Sequence, residues 1–394
     1  MSAEGEAIRS NDYRKDTTVK APSTRPAAVL GLDVGKSSHW ACLIDRGGKV
    51  LASAPVRNRE GALDALFSSA PAGTLVVVDQ FRNIGSLAVR RARAAGLGVA
   101  HLPGLAASRA AGLFAGEAKT DERDAEVIAR TALGVPDSLS GVPGRGEALE
   151  AARALSSQRD HVVACATRDK NRLRAVLLES CPALEAAVDL SDRRWLERLA
   201  GFGGAWGIAR SGAEGPQAEA AGEAAAASTA PPALIEAENR QVRFLAARIS
   251  EALDEAGALE AETAALLEGD ETYACLLTVP GVGPRTAAQL AVSVDIARFP
   301  DHDHLASYCG IAPRVRSSGT SVRSVRASRR GDARLKSLLI FSCNSLVRSS
   351  GRYGEYYRAC RARGMGHGRA LKAVARKRLR AIYAVMRDRV PYRE

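Results

Sequence analysis

Lys119-Thr120-Asp121-Glu122-Arg123-Asp124-Ala125-Glu126-Val127-Ile128-Ala129-Arg130 is the stretch from which the rest of the chain is read. Thr120 stands where a helix N-cap belongs, with charged residues in the first turn and an apolar stripe behind it. Residues three apart share a helix face, so Asp121 and Asp124 are expected to point the same way, with Ala125, Ile128 and Ala132 near that face. Two carboxylates leading a core-facing stripe repel each other unless a cation lies between them or water reaches them. Taken alone, a solvated helix start explains them better, because Asp is favoured in a first turn.

The flanking sequence shifts that balance. Upstream, the run Ala27 to Asp33 is apolar and ends in an acid. His39 to Asp45 and Val50 to Val56 follow as second and third strands, joined by the turn Arg46-Gly47-Gly48-Lys49. Glu60 to Ser69 reads as a helix. Thr74-Leu75-Val76-Val77-Val78-Asp79 has the unbroken apolar pattern of a buried strand and again ends in an acid. Helices over Asn83–Ala95 and Leu105–Phe114 flank a strand over Gly98–Leu102. Three antiparallel strands followed by alternating helices and strands predict an α/β layer fold. In such sheets ligands gather beyond the strand C-termini. Asp33 and Asp79 sit there, and the helix carrying Asp121 and Asp124 can close over the same edge, so the four carboxylates are expected to converge. An oxygen-rich cluster suits Mg²⁺ or Mn²⁺. Two such ions can activate a nucleophile and stabilise a leaving oxygen in phosphodiester chemistry. Each acid also has a plainer reading, an Asx turn into Gly35 for Asp33 and a strand-end cap for Asp79.

Charge points to the partner. The chain of 394 residues has room for two or three domains, and 46% hydrophobic content supports real cores. Its net charge of +12 is unevenly spread: from Asp301 onward there are 22 Lys+Arg against 6 Asp+Glu, which leaves −4 for the first 300 residues. A basic C-terminal domain on a near-neutral remainder suggests an anionic polymer, most simply nucleic acid. Seven cysteines (42, 165, 181, 275, 309, 343 and 360) form no CxxC pair, as expected for free thiols in a reducing cytosol. His302-Asp303-His304 has no partner set at zinc spacing and reads as a loop. Residues 1–26 read as a disordered tail without the apolar core of a signal peptide. No uncharged apolar run approaches membrane-spanning length, so a soluble, cytoplasmic protein is expected.

Glu147 to about Val188 and Leu234 to Leu267 are long helical patterns, expected to pair as a coiled coil or hairpin within or between subunits. Gly201 to Pro232, rich in Gly, Ala and Glu, reads as a flexible insertion. Leu276 to Ala287 reads as a helix, a Gly-rich hairpin and a helix, resembling a helix-hairpin-helix element. Gly281 and Gly283 would expose N–H groups to a phosphate there, with Arg285 alongside; a tight helix–helix turn is the plainer reading. Ser317-Ser318-Gly319 sits among Arg314, Arg316, Arg323 and Arg326, with Arg329 and Arg330 beyond. Arginines bind phosphate bidentately and offset charge on a phosphoryl transition state. A serine there can be a nucleophile if something nearby takes its proton. No His lies in the segment, so activation would fall to the carboxylate cluster.

With these residues in hand the chain resembles the DEDD transposases of insertion sequences, the bridge recombinases. The resemblance is carried by Asp33 after the first strand, an acid after Val76-Val77-Val78, and Lys-Thr-Asp-x-x-Asp. In the C-terminal part it is carried by Pro-Gly-Val-Gly-Pro, Gly-Ile-Ala-Pro, Ser-Ser-Gly and Arg-Arg-Gly-Asp-Ala-Arg-Leu. It covers about residues 27 to 385. It implies a RuvC-like, RNase H-type catalytic domain over 27–146 that binds Mg²⁺ through Asp33, Asp79, Asp121 and Asp124. It further implies a helical coiled-coil connector over 147–270 and a basic, mainly α transposase domain over 271–394 bearing a nucleophilic serine, Ser318 with Ser317 as rival. Strand exchange through a phosphoserine, a structured guide RNA that pairs with target and donor DNA, a nucleoid location, and homo-oligomers from dimer to tetramer are implied too. One departure is Asp79, where the family commonly has Glu; Asp is shorter by one methylene but still a hard oxygen ligand. The competing enzyme reading is a RuvC-like nuclease of the junction-resolvase type, with water as nucleophile. A sugar-kinase-like ATPase, suggested by Asp33-x-Gly35, lacks a second phosphate loop.

Overall fold

The computed structural model describes residues 26–114, 120–142, 144, 146–210, 215, 219, 221–223, 226, 231–318, 322–327 and 331–393, with 313–318 and 322–327 as backbone only. Lys119, Gly319, Arg329 and Arg330, like residues 1–25, lie outside them. The chain divides into two compact units, Met1–Gly144 and Arg145–Glu394.

The first unit is an α/β layer. Strands β1 (Ala28–Asp33), β2 (Ser38–Asp45) and β3 (Val50–Arg57) form an antiparallel meander. There follow α1 (Glu60–Ser69), β4 (Thr74–Val78), α2 (Ser86–Ala94), β5 (Gly98–His101), α3 (Gly104–Ala111), α4 (Asp121–Gly134) and β6 (Ser140–Gly141). The sheet order is β3-β2-β1-β4-β5-β6. β1, β4 and β5 run parallel, and β6 returns antiparallel to β5. β6 has two residues, too few to carry a pattern in sequence. β1 and β4 are covered on both faces, which is why they are apolar throughout. Leu30, Leu32, Val76 and Val78 pack on one side with Leu63 and Phe67 of α1 and Ala88 and Val89 of α2. Val29, Leu75 and Val77 pack on the other with Ala125, Ile128 and Ala129 of α4.

α4 begins where its cap predicts: the Thr120 hydroxyl accepts the Arg123 N–H at 3.3 Å. It lies unusually close to β1. A Cβ built on Gly31 would stand 2.3 Å from the Ala125 carbonyl oxygen and 2.7 Å from the Ala129 nitrogen, both backbone atoms.

The second unit is mostly helical. α5 (Glu147–Ser180), α6 (Pro182–Ala187), α7 (Arg193–Phe202), α8 (Ala205–Arg210) and α9 (Pro232–Leu266) share one core. α5 and α9 pair within the chain as an antiparallel hairpin, since Arg159 meets Glu260 at 2.7 Å and Asp169 meets Arg248 at 3.1 Å. Their seam joins Leu173, Val176 and Leu177 to Val242, Leu245 and Ile249. The start of the expected insertion 201–232 is packed: Ala205, Trp206 and Ile208 are buried in this core. Its Gly/Ala content hid them, since small residues give no periodic signal; most of the remainder lies outside the described residues.

Beyond the hairpin come α10 (Glu271–Leu277), α11 (Pro284–Ser293), α12 (His302–Tyr308), a two-stranded sheet of β7 (Pro313–Ser318) and β8 (Val322–Ala327), α13 (Ala333–Phe341), α14 (Arg352–Ala362) and α15 (His367–Asp388). His302-Asp303-His304 opens a helix rather than forming the expected loop. An Asp301 carboxylate oxygen accepts the N–H groups of Asp303 and His304, each at 2.9 Å, as an N-cap does. All seven cysteines are free. Among the described residues no helix is long and apolar enough to cross a membrane.

Gly31→Ala should cost about 1–3 kcal/mol, the usual range for overpacking, because backbone atoms cannot swing aside. Thermal denaturation should show a lowered midpoint; an unchanged one would contradict the close approach of α4.

Candidate active site

β1 and β4 pair in parallel with Leu32 opposite Val78, so Asp33 and Asp79 are the next residues in register. Two apolar strands of matched length thus deliver two carboxylates to one sheet edge. The Val34 N–H donates to Asp79 Oδ1 at 3.2 Å. Asp124, half-buried in the first turn of α4, lines the same cleft of about 430 Å³ as Asp33 and Asp79. The wall opposite is α3, through Gly104, Ala107, Ser108 and Ala111, small side chains that leave the acids room. Asp121 is exposed and does not line the cleft. Helical spacing alone put it beside Asp124, but only Asp124, nearer the buried part of the helix, lines the cleft.

Burial pushes the Asp79 carboxyl above the ordinary Asp value, opposed by the backbone N–H of Val34 and the charge of His101. His101 ends β5 as Asp79 follows β4, and its Nε2–H donates to the Asp79 carbonyl at 3.1 Å. His39 is buried, which lowers its pKa, while Asn58 and the Asp79 charge pull the other way. Its Nδ1 accepts the Gly35 N–H at 3.2 Å. Arg123 also lines the cleft, and its guanidinium donates to the Phe114 carbonyl at 3.0 Å. His101, His39 and Arg123 were not singled out in the sequence. His101 was open to the same strand-end logic as Asp79, and Arg123 stands between the two acids of the opening stretch.

Three carboxylates on one cleft, one of them destabilised as an anion by burial, have the donor chemistry for a hard divalent cation. Among the described residues no three His, Cys, Asp or Glu side chains stand as a group that could hold an ion.

In the second unit, the glycines of the 278–283 turn play different parts. Gly281 has φ +72°, and a Cβ there would meet Leu346 and the Arg378 guanidinium at under 3 Å. Its carbonyl is taken from inside by Arg378 Nη1 at 3.1 Å. Gly283 is exposed, with open space around it, and is the N-cap of α11. Arg285 rims a cavity of about 500 Å³ together with Arg159, Asp160, Glu260, Arg334 and Phe341. Burial, then the neighbouring Arg159 charge, lowers its pKa, opposed by Asp160 and Glu260. Ser318 is the last residue of β7, opposite Val322. Arg314 pairs with Arg326, Arg316 with Ser324, and Ser317 with Arg323.

Residues 30–182 match a transposase profile of the IS110 DEDD type, and residues 273–358 match one described as transposase of the IS116/IS110/IS902 family. The chain is 35% identical over 386 residues to the insertion element IS110 uncharacterized 43.6 kDa protein of Streptomyces coelicolor, covering 91% of this chain and 94% of that one. It is 27% identical over 384 residues to the transposase for insertion sequence element IS1111A of Coxiella burnetii, covering 94% and 93%. A pilin gene-inverting protein of Moraxella bovis matches at 34% over 124 residues, 30% of this chain and 37% of that one. With its acid-lined sheet edge, its basic C-terminal part and relatives matching nearly end to end, the chain belongs to the IS110 family of DEDD transposases of insertion sequences.

Proposed function

We propose that this transposase breaks and rejoins DNA strands through Ser318, with Asp33, Asp79, Asp121 and Asp124 serving Mg²⁺, or Mn²⁺ in its place, and a structured RNA choosing the sites. The observation that carries this reading is the gathering of Asp33, Asp79 and Asp124 on one cleft at the C-terminal ends of β1 and β4. The antiparallel meander running on into parallel β4 and β5 supports an RNase H/RuvC-like domain. When bound, the cation would polarise a phosphoryl oxygen and stabilise charge on the leaving oxygen. Asp33 and Asp79 would hold it from the sheet and Asp124 from the helix; Asp121, outside the cleft lining, is the weakest member of the set.

Register favours Ser318 over Ser317. Residues two apart on a strand, and those directly opposite on its partner, share a face. Ser318, opposite Val322, therefore shares a face with three arginines, Arg314, Arg316 and Arg326, whereas Ser317, opposite Arg323, shares one with that single arginine and with Val315 and Val325. Attack by Ser318 Oγ forms an O–P bond as the bond from phosphorus to one deoxyribose oxygen breaks, and the serine proton ends on that oxygen. Attack on the phosphoserine by a hydroxyl end of another strand rejoins DNA and restores the serine. Gene inversion, which the name of the Moraxella relative describes, needs such rejoining. The turn between α10 and α11 supports a helix-hairpin-helix role in which Gly283 and Arg285 meet a phosphate, with Gly281 shaping the loop. The arginines of β7 and β8, with Arg329 and Arg330, would bind backbone nearby.

Ser318→Ala should abolish covalent protein–DNA adducts on denaturing gels while DNA binding persists. Adducts that survive in it and vanish in Ser317→Ala would move the nucleophile by one residue. Free cut ends without any adduct in the wild type would favour the nuclease with water as nucleophile. Asp79→Asn gives a second test. Because the folded-state pKa of Asp79 is raised, the folded protein holds that proton more tightly than the unfolded one. The carboxylate thus weighs against folding at neutral pH, and stability is regained as pH falls through the raised pKa. Asp79→Asn should raise the melting midpoint at pH 7 and stop strand exchange; a lowered midpoint would show that the carboxylate is held in a stabilising pair.

A further inference from the structure

The charge of the chain is concentrated beyond every residue assigned to phosphate above. From Gly351 to Glu394 there are 13 Lys+Arg and 3 Asp+Glu, a balance of +10 against +12 for the whole chain. Most of the helix α15 lies in this segment's centre. It buries Leu371, Val374, Ala375, Leu379, Ile382 and Met386 along one stripe. Arg369, Lys372, Arg376, Arg380 and Arg387 recur at spacings of three, four, four and seven residues, so they share one face beside that stripe. From 369 to 387 this row runs about 27 Å along the axis. Arg378, in the same run, is not part of it: it is buried and committed to carbonyl groups.

We propose that this face of α15 is a seat for the phosphate backbone of duplex DNA, a surface that rests on, and extends, the strand-exchange reading above. Its cations are lightly held. Arg376 meets Asp303 at 2.9 Å and Arg387 meets Asp388 at 2.7 Å, both at the exposed surface. Surface pairs of this kind contribute little, so a phosphate can replace either acid at small cost. Arg380 Nε donates to His302 Nε2 at 2.6 Å rather than to a carboxylate. Beside the row, a cleft of about 420 Å³ is lined by Arg352, Lys377 and Arg393 as well as Arg380, with Asp388 its one acid. The helix is fastened to the core by its buried stripe, so the row is ordered before anything binds. The aromatic ring within the row, Tyr383, is buried and lies under the Arg387 guanidinium, so it offers no free platform on which single strands could stack. A row of positive charge without base-reading side chains positions a duplex by its backbone and reads no sequence.

Counterion release provides the test. Each neutralised phosphate of a duplex adds about −0.9 to the slope of log affinity against log salt. In the full-length protein, the triple variant Arg369→Gln, Arg376→Gln, Arg380→Gln should make that slope shallower by about 2–3, equally on unrelated duplexes. The triple variant Arg193→Gln, Arg194→Gln, Arg198→Gln on α7 removes the same charge and should leave the slope unchanged. Should the first triple variant fail to fold, Arg380→Gln alone should still make the slope shallower by about 1. The proposal is overturned if the α15 variants keep the wild-type slope, if the α7 control changes it as much, or if the α15 variants lose only RNA affinity while the DNA slope stands. A wild-type chain with no affinity for duplex DNA would sink the strand-exchange reading as well, whereas normal adduct formation with an unaltered slope would sink this surface alone.

Discussion

The approach of α4 to β1 at Gly31 is the contact on which the acid-lined cleft depends. The carbonyl of Ala125 and the N–H of Ala129 lie where a side chain on residue 31 would have to be. Helix backbone resting directly on strand backbone brings the first turn of α4 to the sheet edge. Asp124 reaches the cleft because of that, and Asp33 and Asp79 reach it because β1 and β4 run parallel in register. The acids are therefore positioned by apolar packing some residues away. Ala125 and Ala129 are themselves small, so small residues meet on both sides of the contact.

A comparable constraint in the second unit is the buried Arg378. No carboxylate meets its guanidinium among the described residues; it donates instead to the carbonyls of Gly281, Ser342 and Leu339 and to the Ser342 hydroxyl. The last of these groups belong to the C-terminal end of α13, where the helix dipole favours a cation. Burial lowers the Arg378 pKa, but an arginine starts so high that the charge is retained. The turn before α11 and the end of α13 are thus tied to α15 through one side chain, and the same helix that carries the exposed basic row holds the glycine turn from within.

Both units separate the residues that build the core from the charged residues proposed to act. Strands buried on two faces end in acids, and a helix with a deep apolar stripe carries cations beside it. The proposed chemistry would stand at the margins of the packed regions, where desolvation is partial. Asp79 shows the cost: its carboxylate is held above its ordinary pKa by the burial that also places it.

The sequence by itself determined the order of β1 to α4 in the first unit, the two long hairpin helices, the N-cap at Thr120, the two strand-end acids and the charge imbalance. Each depends on local spacing: a two-residue or 3.6-residue period, a capping side chain, a run of apolar residues, or a count. It also carried the family, through motifs that keep their order along the chain. Only the tertiary structure separated Asp124, in the cleft, from Asp121, outside it, because the spacing of two acids on a helix does not record which of them meets the sheet edge. It alone brought in His101 and His39, whose nearness to Asp79 depends on strand order, and Arg123, whose place in the cleft depends on where α4 meets the sheet. It turned His302-Asp303-His304 from a loop into a capped helix start, and it placed Trp206 in a core that a Gly- and Ala-rich stretch concealed. Gly281 and Gly283 look alike in sequence, yet one faces a buried guanidinium and the other faces solvent. Side chains distant in the chain decide that difference, and no local pattern records them.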